Sequence, residues 1–381
     1  MEGSKNLTNL TKKTASPIQI AWQKLLQNKI AVVGLVVILS FLLIAILGPI
    51  IRPDSSPKAN RQHLELARKA PGFAVKVLRV PLSNTQREGI FQSFVFGYEP
   101  DFKEIPIESY SWKDEGVSIK KYNGEEVNDG EVVFYSKIEF EEFQESSVIK
   151  EKTYILGTDR YGRDLLSRLM GGTWISFTVG FISILISLVI GISLGSIAAY
   201  SGGKVDDLIM WFINVIWSIP TLLLVIAMTL ALGKGFWQVF VAVGLTMWVE
   251  VARVVRGQVL STKQMEFIEA GKSFGFSTFR IISRHILPNV TGPIIVISAS
   301  NFAAAILIEA GLSFLGLGAQ PPQATWGKMI AEHKGYIITG DAYLAVFPGI
   351  AICLLVLSFV LLGNGLRDAF DTKNVKQQSG I

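Results

Sequence analysis

Cysteine is almost absent: Cys353 is the only one in 381 residues, which excludes a disulfide framework and any CxxC metal site. Histidine is nearly as scarce, and His63, His285 and His333 are too scattered to read as a zinc ligand set. Charge is the third shortage. Asp, Glu, Lys and Arg make up 18% of the chain, against roughly a quarter in an ordinary soluble domain. A phosphate loop is lacking too: Gly271-Lys272-Ser273 resembles the end of one, but the glycine required five positions before Gly271 is Glu266, and no strand precedes it. The Ser, His and Asp residues form no nucleophile elbow, so nothing here has the arrangement of a hydrolase.

What fills the space is apolar. Half of the residues are hydrophobic, and they gather into six runs at 30–51, 174–200, 208–232, 236–255, 292–316 and 342–362. Each approaches the roughly 20 residues that cross a bilayer. The run at 30–51 is too long for a signal-peptide core and lacks a clear cleavage site before Arg52, so it reads as a retained first span. The formal net charge of +5 does not form one basic patch. Lys and Arg sit in the 1–29 segment, the 257–290 loop and the tail from 367 to 381, a pattern of cytoplasmic anchoring rather than of nucleic-acid binding. Lys234 is alone in its short loop, and Lys328 and Lys334 are outweighed. Both termini and the 257–290 loop are therefore expected in the cytoplasm, with 52–152 outside.

The 52–152 stretch is soluble in character, with 15 Lys and Arg against 18 Asp and Glu, while the rest of the chain has 21 against 13. It is expected to be an inserted domain that folds on its own. Residues 116–143 read as β around an Asn123-Gly124 turn, with a second strand over 132–140, and 61–70 is more helix-like.

Within the spans, Ser183, Ser187, Gly191, Gly195 and Ala199 recur every four residues, which puts five small side chains on one helix face for close packing in lipid. Pro220 should kink the third span. Glu250 and Arg253, three residues apart, are placed to pair. Glu309 is expected to be a hydrogen-bonded structural group near the outer end of its span. Thr158, Asp159 and Asp164, beside Arg160 and Arg163, are expected to cap the second span and pair locally.

The loop after the fourth span carries two amphipathic helix signals joined by glycine. Ser261 with Gln264 reads as a capping box, and Met265 and Ile268 supply an apolar side. The pattern breaks at Gly275. Ser277 is placed to cap a second helix, with Phe279, Ile282 and Ile286 on one face and Pro288 at its end. A helix, glycine turn and helix held between two spans is a rigid projection suited to a groove on a partner.

Glu269-Ala270-Gly271-Lys272-Ser273-Phe274-Gly275, followed by His285-Ile286-Leu287-Pro288, resembles the E-A-A-x3-G-x9-I-x-L-P loop of bacterial ABC importer permeases. It departs at Gly271, where Ala is usual, and at His285, where Ile is usual. Three further stretches narrow the likeness: 156–168, Glu309 to Pro322 with Trp326-Gly327, and Asn364 to Asp368. Together they resemble the second permease subunit of dipeptide and oligopeptide importers, with Asn364 where an aspartate is usual. The likeness covers the first span and about 154–373 but leaves the insert aside.

The resemblance implies an all-α integral membrane protein with six transmembrane helices of the ABC type I importer permease fold. Here that fold carries an inserted extracellular α+β domain, and the permease part proper is 153–366. It also implies that Glu269, Ala270, Gly271, Gly275, His285, Leu287 and Pro288 form the ATPase-coupling loop. The implied partners are a homologous permease subunit, two ABC subunits that bind ATP and Mg, and an extracellular peptide-binding lipoprotein. This chain itself would hold no cofactor. The same pattern serves nickel and other small solutes. Outside this class, a secondary carrier would need midplane ion ligands or an internal repeat, and a receptor or scaffold would be built around the insert.

Overall fold

The computed structural model describes residues 17–82, 97–98, 100–125, 129–140, 148–233 and 235–371. Lys234 and most of the N-terminal and C-terminal segments named above lie outside the described residues. Among the described residues five helices are long and apolar enough to cross a membrane, or six when one bent pair is counted as a single span. The chain enters through α1 (Pro17–Gln27) and α2 (Lys29–Ile51). Asn28 separates them, its side chain accepting from the Ile30 and Ala31 amides at 3.1 and 3.2 Å, the usual service of an N-cap.

The insert is a five-stranded antiparallel sheet of order β4-β3-β2-β1-β5, with β1 at Phe73–Pro81, β2 at Phe102–Lys113, β3 at Gly116–Lys121, β4 at Val132–Ser136 and β5 at Ile149–Tyr154. The expected β3–β4 pairing is present, from Gly116 opposite Ser136 to Lys120 opposite Val132. The link between them is longer than a two-residue Asn-Gly turn, and β4 stops at Ser136 because 137–140 wind into a helical turn. The helix-like signal at 61–70 corresponds to one 3-10 turn, Leu64–Leu66. β1, β2 and β5 carry no clear strand signal in the sequence: charged residues interrupt each of them, and the hydrophobic half of each strand shows only once the sheet is assembled. Leu78, Ile107, Val117 and Ile119 then form one buried cluster.

The sheet is fastened to the helices by polar groups. Arg68 reaches Asp341 at 3.3 Å, the Tyr343 hydroxyl donates to the Lys69 carbonyl at 2.9 Å, and Arg163 Nη1 donates to Asn60 at 3.1 Å. At its centre Glu104 is almost fully buried against Arg61 (2.6 Å), Lys152 (2.7 Å) and Arg79 (3.2 Å). Burial works to raise the Glu104 carboxyl, but Lys152 and Arg61 win and hold it down at about 2.

Beyond the sheet come α3 (Leu165–Ser201), α4 (Gly203–Trp217), α5 (Thr221–Leu232), α6 (Phe236–Lys263), α7 (Glu266–Ser273), α8 (Thr278–Arg280), α9 (Thr291–Phe314), α10 (Trp326–His333) and α11 (Tyr343–Phe370). α3 and α6 run side by side in the same direction, from the sheet end of the bundle to the opposite end. Ser183 donates to the Phe240 carbonyl at 3.1 Å. A Cβ on Gly191 would stand 2.6 Å from Val251, and one on Gly195 2.5 Å from the Ala252 carbonyl. Ser187 and Ala199 are buried on the same face. The four-residue stripe thus seats α6 against α3, as close backbone approach in lipid requires. We expect Gly191→Leu to cost several kcal/mol through overpacking against a neighbour that cannot move, read as a large drop in detergent-extracted folded protein.

Pro220 does more than kink its span. α4 and α5 meet at 91°, because Pro220 lacks an amide donor and the backbone of Trp217 to Pro220 leaves the helical path. Aromatic rings join the other helices: Phe302 of α9 stacks on Phe359 of α11 at 4.1 Å between centroids, with Phe177 of α3 at 5.8 Å from Phe302.

Candidate coupling site

At the end of the bundle opposite the sheet, α7, a glycine turn and α8 form a hairpin. α7 begins at Glu266, and its N-cap Met265 makes no side-chain cap bond. The expected Ser261–Gln264 capping box does not form, because Ser261 is still inside α6: the apolar stripe of α6 continues past the bilayer length through the buried Val255 and Val259. The hairpin turn is a Schellman arrangement. The Gly275 amide donates to the Lys272 carbonyl at 2.9 Å and the Phe276 amide to the Gly271 carbonyl at 3.1 Å. Gly275 has φ +73°, the left-handed conformation that glycine adopts without a Cβ penalty. A Cβ there would meet nothing within 4 Å, so backbone conformation rather than space selects glycine.

Gly271 is buried under Phe276, whose ring would lie 3.3 Å from an added Cβ. Phe276 is the centre of the hairpin: His285 stacks on it at 5.6 Å and Arg280 lies 4.1 Å over its face. Ser277 caps α8 through the Arg280 amide at 3.4 Å. Past α8 the chain continues as a π-helical turn, Ile281–Ile286, and a 3-10 turn, Leu287–Val290, into α9. Pro288 therefore does not end the second helix. It sits in the first turn of the 3-10 segment, where its missing amide costs no bond.

The apolar faces also differ from expectation. Ile268, Ile281 and Ile286 are buried, in one cluster with Val255 and Val259 of α6 and Ala199 of α3. Phe279 is 80% exposed and Met265 50%. Phe279 points outward because Ile281 occupies the inward position. Phe274, 79% exposed, joins it at the tip. Glu269 and Ala270 are exposed on α7, Leu287 is half-buried and Pro288 is exposed. Phe274 is the tip residue that sequence reasoning missed, and Phe279, expected on the buried face of the second helix, joins it on the outside.

Charged groups on the C-terminal half of α6, from which the hairpin projects, lock that helix to α3 and α4. Lys263 donates to the Tyr200 carbonyl at 2.6 Å and to that of Ala199 at 3.3 Å, which sets a cation at the C-terminus of α3. Arg256 forms a bidentate pair with Asp206 of α4, both bonds at 2.6 Å. Arg253 does not pair with Glu250. It donates to Asn214 at 2.6 Å and stacks on Trp217 at 3.8 Å, because α4 lies across its path.

At the sheet end, Asp164 caps α3 through the Ser167 amide at 2.7 Å, and burial raises its carboxyl above the ordinary value against the bonds from Ser167. Asp159 pairs with Arg163 at 2.6 Å, while Arg160 and Arg163 reach Glu332 at 3.7 and 3.5 Å. Thr158 donates instead to the Leu66 carbonyl of the insert. Glu309, 2% exposed, accepts from Ser313 at 2.6 Å, and Gly318 folds back so that a Cβ there would overlap the Ser313 hydroxyl. The Trp326 indole donates to the Leu169 carbonyl at 2.9 Å. Among the described residues no group of three or more His, Cys, Asp and Glu is placed to hold a metal ion.

Residues 191–376 match the family described as binding-protein-dependent transport system inner membrane component, and residues 16–71 match the N-terminal transmembrane domain of oligopeptide transport permease C. A dipeptide transport system permease protein DppC of Lactococcus lactis subsp. cremoris (strain MG1363) is 31% identical over 374 residues, which covers 98% of this chain and 95% of that one. The chain belongs to the dipeptide and oligopeptide transport permease family. The DppC permease of Bacillus subtilis (strain 168) is 44% identical over 217 residues, 57% of this chain and 68% of the relative. The OppC permease of the same strain is 38% identical over 222 residues, 58% and 72%. This permease is thus a multi-span membrane protein of an inner-membrane transport family, and its relatives are transporter subunits rather than enzymes. The alignment to the Lactococcus permease runs through the insert.

Proposed function

We propose that the chain forms half of the translocation pathway of an ATP-driven importer of dipeptides or oligopeptides, with the type I importer arrangement of helices. Its partners in this reading are a homologous permease, two ATPase subunits that carry ATP and Mg, and an external peptide-binding lipoprotein. The observation that carries the reading is the hairpin itself: a two-helix projection seated on α3 and α6 by buried apolar contacts, at the end of an α6 that three cationic side chains tie to α3 and α4, with exposed aromatic residues at its tip. A rigid body of this kind passes displacement to the spans without being absorbed by a flexible loop. Glu269, Ala270, Gly275, Leu287 and Pro288 shape it, Gly271 and His285 pack its interior against Phe276, and Phe274 with Phe279 offer the apolar contact to the ATPase groove. Closure of the ATPase pair then pushes two such hairpins together and rocks the spans between two states.

The orientation that fits has the hairpin and both termini in the cytoplasm and the sheet outside, where the acidic balance of the 52–152 sequence, 15 Lys and Arg against 18 Asp and Glu, helps to receive the lipoprotein. Proteoliposomes that hold the two permeases and the ATPase pair should take up a labelled dipeptide when binding protein and ATP are supplied, and the four membrane-side subunits should co-purify. ATP hydrolysis by this chain alone, or uptake without the ATPase pair, would sink the proposal. Uptake of nickel in place of any peptide would move the cargo assignment and leave the coupling mechanism standing.

A further inference from the structure

The 91° break between α4 and α5 opens a cavity of about 200 Å³ against α6 and α9, lined by Trp217, Thr221, Thr246, Glu250, Ala304 and Ile308. Glu250 is the single ionisable side chain among the described lining residues. The run of apolar residues suggests a span ending near 255, with Glu250 close to its edge. α6 in fact continues to Lys263, so Glu250 lies about 21 Å from the start of the helix and about 20 Å from its end. With about 30 Å of hydrocarbon to cross, Glu250 therefore lies within the membrane-spanning part of α6, toward its cytoplasmic side, and not at the end of the helix. Arg253, the cation closest to it along α6, is committed to Asn214 and Trp217. Glu250 is exposed into the cavity, while its neighbours Val249 and Val251 are buried at 2% and 0%.

An ionisable side chain at this depth is costly, and it is kept where it faces a pathway and meets a charged partner. A cavity of this size holds one end of a small ligand; whole drug-sized ligands occupy roughly 300–1,000 Å³. We propose that Glu250 receives the ammonium group of a peptide in transit, with the indole of Trp217 beside it as the aromatic wall that a cation favours and the second permease closing the open side. This rests on the peptide-import reading and adds to it a residue that holds cargo inside the membrane.

The test uses the reconstituted importer and a labelled dipeptide of neutral side chains, whose sole cation is its terminal ammonium. Glu250→Gln should lower peptide delivered per ATP by about tenfold while leaving co-purification of the second permease and the ATPase activity stimulated by loaded binding protein unchanged, and Glu250→Asp should recover most of the delivery. Delivery by Glu250→Gln within twofold of the wild type overturns the proposal. So does loss of the second permease from the Glu250→Gln complex, which would assign the carboxylate to a subunit contact. A wild-type complex that moves no peptide removes the import reading and this inference with it, whereas wild-type uptake matched by Glu250→Gln removes the inference alone.

Discussion

Uptake by the assembled importer should fall at least a hundredfold in a Gly275→Val variant, with membrane insertion intact and ATPase association weakened. The left-handed conformation at this position costs an L-residue roughly 1–2 kcal/mol, and more for a β-branched one. That sum is too small to unfold a bundle that buries α3, α6, α9 and α11 against one another. It is large enough to open the turn, because only two bonds close it, Gly275 to Lys272 and Phe276 to Gly271, and each is individually modest. Opening releases Phe276 from His285 and Arg280, and the exposed Phe274 and Phe279 lose their fixed spacing. Gly275→Asn separates conformation from bulk. Asn visits the left-handed region more readily than other non-glycine residues, and nothing crowds the site, so Asn should keep most of the uptake that Val loses. Equal loss in both variants would show that the partner groove excludes any side chain there. Equal retention would show that the turn does not transmit force.

Much of this architecture was legible in the order of residues, and the failures share a cause. The spans announce themselves through unbroken apolar length, and the four-residue stripe from Ser183 to Ala199 declares its face because small side chains at that period have few other uses. Gly275 and Ser277 are punctuation with a local mechanism, and both act as such. The misread features depend on what a neighbour does. Arg253 could not be assigned to Asn214 and Trp217 without knowing that α4 folds back at 91°. Phe279 looks inward by periodicity, but the π-helical turn that follows shifts the helical phase by a fraction of a turn, and Ile281 takes the inward place. The length of α6 was underestimated because Arg253, Arg256 and Lys263 read as a span boundary, whereas each is neutralised or engaged by a partner from α3 or α4. Strands β1, β2 and β5 were hidden by their charges. Glu104 on β2 and Lys152 on β5 meet across β1, so residues that look like solvent exposure in one dimension are the buried centre of the sheet in three.

That centre carries the largest expected effect on stability. Glu104→Ala leaves Arg79 and Lys152 without their carboxylate and Arg61 with only the longer contact to Asp54 at 4.0 Å, and removing one partner from a buried ionic group costs about 3–5 kcal/mol. The same carboxylate sets the acid response. Its value in the folded sheet, about 2, lies below its ordinary 4.5, so its contribution is complete above pH 4.5, declines as pH falls toward 2, and amounts to about 3 kcal/mol in all. Protease cleavage within the insert, followed against temperature, should show the Glu104→Ala sheet opening well below the wild type at pH 7. The two proteins should converge as the wild type is acidified toward pH 2. Because Arg61 and Asn60 lead directly into the Asp159, Arg163 and Glu332 cluster at the end of the bundle, the same variant also asks what the insert is for. Uptake that collapses together with the sheet would make the insert part of the receiving surface for the binding protein. Full uptake with an opened sheet would confine the transport machinery to the helices and leave the insert a separate task.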